Sequence, residues 1–483
     1  MRITFAWLVL VLVPSLVAST GCTKDNPIYC DQNTPCMSAV RNYCDLDGTL
    51  GGVPNRCIDS GDGGRDGSVD AGCTLSSCAA ATPICELAAG MCRACSTDTE
   101  CMARGGTTPR CGAGAGIAGT CVECASATAS TDCTAASKPV CNATTGLCRG
   151  CQQDSECPSA ICDEPTGTCA ATDTIIYVTA TGTDGAGCGT QASPCRTVTA
   201  AMSSVTGTRR TIHLGPGTYT EPGTVTVQSK TVVIVGRGAT VKPGVISASV
   251  FVVGDNGSLT LEGVTVSDAA GSGSPRGISC NGNGTPVVRL IETTVTMNAG
   301  RGLDATNCMI SIERSTLSRN QGGGLAISGT MFTIQNSFIV DNGSTGSSVG
   351  GIRIQDGSVG TMTFSTIAQN TSTASATAGV GCVGNVPTPR FRNNIVFNNL
   401  NALNVAACEW EYSDVQFTTV PNVSNNIADA PMFVDAAAGN YHLMSGSPCK
   451  DKADGAGAPM LDFDRDMRPQ GGGPDIGADE IKP

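Results

Sequence analysis

Ser315-Thr-Leu-Ser-Arg-Asn320 recurs as Ser337-Phe-Ile-Val-Asp-Asn342, as Ser365-Thr-Ile-Ala-Gln-Asn370 and as Asn393-Asn-Ile-Val-Phe-Asn398, with Thr293-Thr-Val-Thr-Met-Asn298 ahead of them. The closing asparagines stand 22, 22, 28 and 28 residues apart. A second phrase of glycine plus an aliphatic residue follows the first four: Gly302-Leu303, Gly324-Leu325, Gly351-Ile352 and Gly379-Val380. Short alternating strands punctuated by Gly and Asn at a fixed period signal stacked coils, because no single coil can bury its aliphatic side chains alone. Stacking at about 4.8 Å per coil predicts one buried column of Val295, Leu317, Ile339, Ile367 and Ile395. Val340, next along its strand, is expected to point outward. An asparagine at the same turn of every coil predicts a ladder of amides bonded from coil to coil. The fold class is therefore all-β, a parallel β-helix, assigned to residues 174–434.

Composition agrees. The chain has 483 residues, 61 of them Gly, with 4% aromatics, which suits turn-rich coils better than helix bundles. A formal charge of −12 leaves no basic stripe for nucleic acid.

Both ends of the assigned domain carry further phrases. Tyr177-Val-Thr-Ala-Thr-Gly-Thr-Asp184, Ser193-Pro-Cys-Arg-Thr197 and Ile212-His-Leu-Gly-Pro-Gly-Thr-Tyr219 resemble the opening of pectate-lyase-like right-handed β-helix proteins. The asparagine ladder is a trait of the same family. Residues 435–483, with Asp462-Phe-Asp-Arg-Asp-Met-Arg-Pro469 and Asp475-Ile-Gly-Ala-Asp-Glu480, resemble the closing segment of surface-anchored β-helix proteins. The resemblance implies a right-handed solenoid and, for many relatives, polysaccharide cleavage. A leucine-rich solenoid does not fit, since its Leu-x-x-Leu-x-Leu register is missing.

The amino-terminal third reads differently. Arg2 and the apolar run Phe5–Val17 form a secretory signal over residues 1–21, too short and too interrupted by Pro14 to span a bilayer. Ser19-Thr-Gly-Cys22 resembles a bacterial lipobox, which implies acylation of Cys22 and, with Thr23 following, the outer membrane. Residues 22–57 hold the anchor site and a four-cysteine module, and residues 58–72 an Asp/Gly-rich linker. Residues 73–169 hold four four-cysteine repeats: Cys73, Cys78, Cys85 and Cys92; Cys95, Cys101, Cys111 and Cys121; Cys124, Cys133, Cys141 and Cys148; Cys151, Cys157, Cys162 and Cys169. With almost no apolar core, these repeats need disulfides, whose connectivity spacing leaves open. Their Cys-x-x-Cys steps are junctions between repeats rather than zinc ribbons, and both histidines lie elsewhere. Seven cysteines follow Cys169, so with Cys22 acylated one is left over, and Cys449, far from the others, is the candidate.

No complete catalytic set is legible. The paired aspartates and Gly-His-Gly of polygalacturonases are missing, as is the Arg-x-Pro-x-x-Arg of pectate lyases. Coil alignment puts Glu292, Arg314, Asn336, Phe364 and Arg392 in one column, which predicts a Glu292–Arg314 pair on a solvated face. Arg301 and Asp304 mark a second candidate face. Arg353, outward on Gly351-Ile-Arg-Ile354, and Trp410 with Tyr412 are the other candidate ligand contacts. Asp462, Asp464 and Asp466 alternate like calcium ligands, but Met467 stands where an EF-hand needs Gly, so a turn paired with Arg465 and Arg468 is expected. No cofactor is expected, and calcium is the one ion these acidic stretches suggest. The sequence thus points to an exported cell-envelope protein, lipid-anchored, whose non-catalytic β-helix binds a polysaccharide or another cell-surface partner. The alternative is a polysaccharide lyase or glycosidase with an unrecognised site.

Overall fold

A computed structural model describes residues 43–45, 56–58, 73 and 78–482, apart from 87–90, 127–128, 164–165, 374–375, 385–389, 401–404, 407 and 417–424. The signal segment, Cys22 and the linker from residue 59 lie outside the described residues. The chain forms two compact units, residues 1–134 with 141–149, and residues 135–140 with 150–483.

In the first unit every repeat is closed by two crossing bridges, first cysteine to third and second to fourth. They are Cys73–Cys85 with Cys78–Cys92, Cys95–Cys111 with Cys101–Cys121, and Cys124–Cys141 with Cys133–Cys148. The bridged halves sit on two- and three-residue strands such as Ile84–Glu86 and Met91–Arg93, too short to hold without them. The helix Asp98–Arg104 begins with a capping box of Thr97 and Glu100, and Glu100 also pairs with Arg93 at 2.5 Å.

The second unit opens with the fourth repeat, bridged alike through Cys151–Cys162 and Cys157–Cys169. Here the repeat is joined to the solenoid. Ile161 packs with Ile175, Tyr177 and Val235, and Asp154 pairs with Arg237. A short helix, Val198–Ala201, follows the first strand. Its exposed N–H groups are met by Thr197 Oγ1 and by the buried Glu221 carboxylate, which accepts from Val198 N and Thr199 N at 2.8 Å.

From there the chain winds as a right-handed parallel β-helix with three faces. In one coil Met309–Glu313 lies on face A, Thr316–Ser318 on face B and Gly323–Ser328 on face C. Every strand pairs in parallel with its counterparts in the coils before and after. The strands Thr231–Pro243 and Ser258–Ser267 run from face A to face B unbroken, so those two faces share one 17-stranded sheet. Face C is a separate sheet of eight strands. The turn from A to B passes through one left-handed residue per coil: Glu292, Arg314, Asn336, Phe364, Asn393 and Tyr412, with φ from 43° to 61°. Arg392, expected in this column, precedes it by one residue.

The interior column contains Val295, Leu317, Ile339 and Ile367, all fully buried. The next residue in register is Val396, not Ile395. The asparagine ladder is present and carries the same correction, running Asn298, Asn320, Asn342, Asn370 and then Asn399 in place of Asn398. Each amide nitrogen donates to the Oδ1 of the next, at 2.9–3.1 Å. The glycine of the second phrase makes room for it: a Cβ on Gly324 would stand 3.0 Å from Asn342 Nδ2 and 2.7 Å from Gly351 O. A second ladder went unread in the sequence. Backbone N–H groups of Thr293, Ser315 and Ser337 donate to the side-chain oxygens of Ser315, Ser337 and Ser365 in turn, and Asn394, Ser413 and Asn426 extend it.

The carboxy-terminal segment does more than close an end. It lies along the outer side of face B. Asn336 Nδ2 donates to Leu461 O, Tyr441 Oη to Asp341 Oδ1, Ala478 N to Thr366 Oγ1, and Asp454 N to Asn393 Oδ1, at 2.6–3.1 Å. Phe338, Val340 and Ala368 are buried beneath Tyr441, Ala478 and Phe463. Val340 does point away from the interior column, as alternation requires, but it is 3% exposed because this segment covers it.

Candidate functional site

Glu292 and Arg314 do pair, at 3.2 Å, but not on a solvated face. Arg465 arrives from the carboxy-terminal segment to within 2.5 Å of the same Glu292 oxygen, and Arg237 lies 3.3 Å from the other. Burial alone would raise the Glu292 carboxyl, yet Arg465 and Arg314 hold it below its ordinary value. The cluster fastens the segment to the coils, and a shallow 250 Å³ recess beside it is part of that joint.

The aspartates of the closing segment are also committed. Asp462 Oδ1 accepts from Asp464 N and Asp466 N, and its Oδ2 accepts from Glu480 N. Asp464 contacts His442 Nε2 at 2.8 Å, and Asp466 pairs with Lys482 at 2.9 Å. Arg465 and Arg468, expected as their partners, pair instead with Glu292 and Glu480. Trp410 is 5% exposed and packs on Phe391 in the last coils, out of reach of a ligand. Tyr412 lies under the Arg392 guanidinium, 5.2 Å from ring centroid to carbon.

Among the described residues Cys449 is the unpaired cysteine, buried, its thiol 3.2 Å from Asp414 Oδ2. Asp414 Oδ1 is buried with no partner. Burial pushes the Asp414 carboxyl from an ordinary 3.8 up to about 7 and the Cys449 thiol upward as well. With the folded value raised, the fold keeps the neutral acid while the unfolded chain ionises. Stability from this site is full below about pH 4 and falls until about pH 7, where both states are charged. Asp414→Asn should flatten denaturant midpoints over that window and stabilise the protein at pH 7 by on the order of 3 kcal/mol. An unchanged pH profile would remove Asp414 from the account.

Face C remains, and it holds Arg301, Asp304 and Arg353. Its inward residues Leu303, Leu325 and Ile352 are buried. One outward column reads Ser279, Asp304, Ala326, Arg353 and Gly381, and the next reads Asn281, Thr306, Ser328, Gln355 and Val383. Asp304 Oδ2 is shared by two guanidiniums, Arg301 Nη1 at 3.0 Å and Arg276 Nε at 2.5 Å. Arg276 had no motif to mark it, since it lies before the spaced repeats begin. Among the described residues Arg353 has no polar partner: its Nε is buried, between Ala326 and Gly381 in register. Where face B turns into face C, Arg276 and Arg301 line a cleft of about 390 Å³ with Ser274, Gln321, Ser344 and Ser348.

Comparison with known proteins bears on the fold. Residues 276–443 match the family model described as right handed beta helix region, and residues 60–175 match a family of unknown function, DUF8331. No curated protein matches the chain. Among solved structures, pectate lyase Pel9A is similar at 18% identity and TM-score 0.39, over 64% of this chain and 96% of that one. The pectin methylesterase from Aspergillus niger, in deglycosylated form, is similar at 12% identity and TM-score 0.30, over 54% and 92%. Neither likeness brings the chemistry of those enzymes to this chain.

Proposed function

We propose that this β-helix is displayed outside the cell, anchored through Cys22, and binds a glycan or another envelope partner on face C without catalysing its cleavage. The many disulfides mark an exported protein. The observation that carries the binding reading is the contrast between faces. Face B is covered by the chain's own closing segment, whereas face C presents the polar side chains of Asp304, Arg353, Asn281, Thr306, Ser328 and Gln355 and a cleft. The side chains there suit holding rather than proton transfer. Asp304 is tied between two arginines, and neither histidine lies on that face.

The test uses the exported full chain. It should be retained by part of a polysaccharide panel, uronate polymers included, with no unsaturated product absorbance and no shortening of the polymers. Product formation would replace this reading with a lyase or glycosidase. In the same cells the protein should partition into detergent and take up acyl label, and Cys22→Ala should abolish both. Equal partitioning would remove the anchor.

A further inference from the structure

We infer that the cleft between Arg276 and Arg301 is an oxyanion site, taking a sulfate, phosphate or carboxylate group carried by a polysaccharide. This rests on the binding reading above and names the chemistry of the partner. A guanidinium has five N–H donors, and these two spend only the ones facing Asp304. Among the described residues no other acceptor meets them. One carboxylate between two guanidiniums leaves a net positive charge, in a protein whose formal charge is −12. Of the remaining lining, the hydroxyls of Ser274, Ser344 and Ser348 and the amide of Gln321 can donate, the rest is mostly glycine and alanine, and no carboxylate is among them. A neutral sugar would leave the spare N–H groups without a charged acceptor, whereas an oxyanion takes them in the forked geometry that arginine favours.

A second observation lies along the same face. Arg353 occupies the outward column of Asp304, two strands further on, which places their backbones about 10 Å apart. Its buried Nε has no partner among the described residues, the neighbours in register are Ala326 and Gly381, and the Thr377 side chain lies over Gly381. A chain bearing acidic groups at intervals therefore meets one cationic cleft and, further along, one unpaired guanidinium. Among the described residues no aromatic platform is exposed there, so binding is electrostatic and weakens as salt rises.

Titration of the full chain with inorganic sulfate and phosphate, and with sulfated, phosphorylated, uronic and neutral polysaccharides, separates the sources. Saturable binding of the free anions and of at least one charged polymer is expected, with neutral polymers at least tenfold weaker. Arg276→Gln with Arg301→Gln should weaken binding tenfold or more, and Arg353→Gln should weaken the polymer but not the free anion. Asp304→Asn should tighten anion binding severalfold, a gain that misfolding cannot produce. Arg289→Gln, on exposed face A, should change nothing. If polymer binding survives the double arginine change and Asp304→Asn brings no gain, the oxyanion cleft is wrong while the binding function stands. If free sulfate binds at the arginines but no polysaccharide does, the cleft stands as an anion site and its polysaccharide partner is wrong.

Discussion

Arg468→Ala should release the carboxy-terminal segment from face B at a cost of about 3–5 kcal/mol, the range seen when one partner of a buried ion pair is removed. The Arg468 side chain is 0% exposed and lies 3.3 Å from Glu480, itself at 1%. It donates to the carbonyls of Asp475, Gly477 and Ala478 at 2.7–3.3 Å and stacks 4.6 Å from the Phe364 ring centroid. Phe364 belongs to the left-handed column of the coils, so this one side chain gathers the last loop and seats it on the solenoid. Truncation would leave the Glu480 carboxylate buried, the Asp475 and Gly477 carbonyls without this donor, and a cavity over Phe364, while Ala478 O keeps its bond from Phe463 N. The coils keep both ladders, so β-type circular dichroism should persist while hydrogen exchange at Gly477 and Ala478 accelerates and protease trims the chain toward residue 430. Arg468→Met with Glu480→Gln should recover part of the loss, because an apolar fill without a stranded charge costs less. Unchanged exchange in Arg468→Ala would show that the segment is held elsewhere.

The coil register was legible wherever the motif recurred at equal spacing. Leu317, Ile339 and Ile367 stack as read, because each stands two residues after a serine that is itself repeated. The reading slipped by one at the last motif, where Asn393-Asn394 and Asn398-Asn399 offer two equivalent frames. Hydrogen bonds to the neighbouring coil choose Asn394 and Asn399. Parity left one of the late cysteines over and its distance from the others singled out Cys449, but no spacing rule gives the crossed pairing of the repeats, which the hairpin geometry of each unit decides. The closing segment was beyond sequence reasoning because its contacts are non-local. Arg465 meets Glu292 across 173 residues, so a pair that looked solvated became part of a joint. For the same reason the two arginines on Asp304 could be only half recognised. Arg276 lies on the coil before, outside the repeating phrase, and only the winding of the chain brings it there.

Ile339→Ala should cost about 2–5 kcal/mol, from lost burial and an unfilled cavity in the interior column. Ile339 is fully buried between Leu317 and Ile367. Asn342→Ala should cost a comparable amount, roughly 2–4 kcal/mol. Its Oδ1 accepts from Asn320 N and Asn320 Nδ2, and its own amide donates to Leu317 O and to Asn370 Oδ1, so truncation strands buried groups in the coils on either side. Val340→Ala should fall at roughly 1–3 kcal/mol, not near zero, because Tyr441 and Ala478 pack over it. Met331, 50% exposed at the edge of face A, supplies the control, with Met331→Ala within about 0.5 kcal/mol. Denaturant midpoints at unchanged slope measure all four. The decisive comparison repeats them with Arg468→Ala in place. If the closing segment is what buries Val340, its loss should vanish there while those of Ile339 and Asn342 persist, since their partners lie within the coils. A Val340 effect that survives release of the segment would mean that the coil itself buries this side chain.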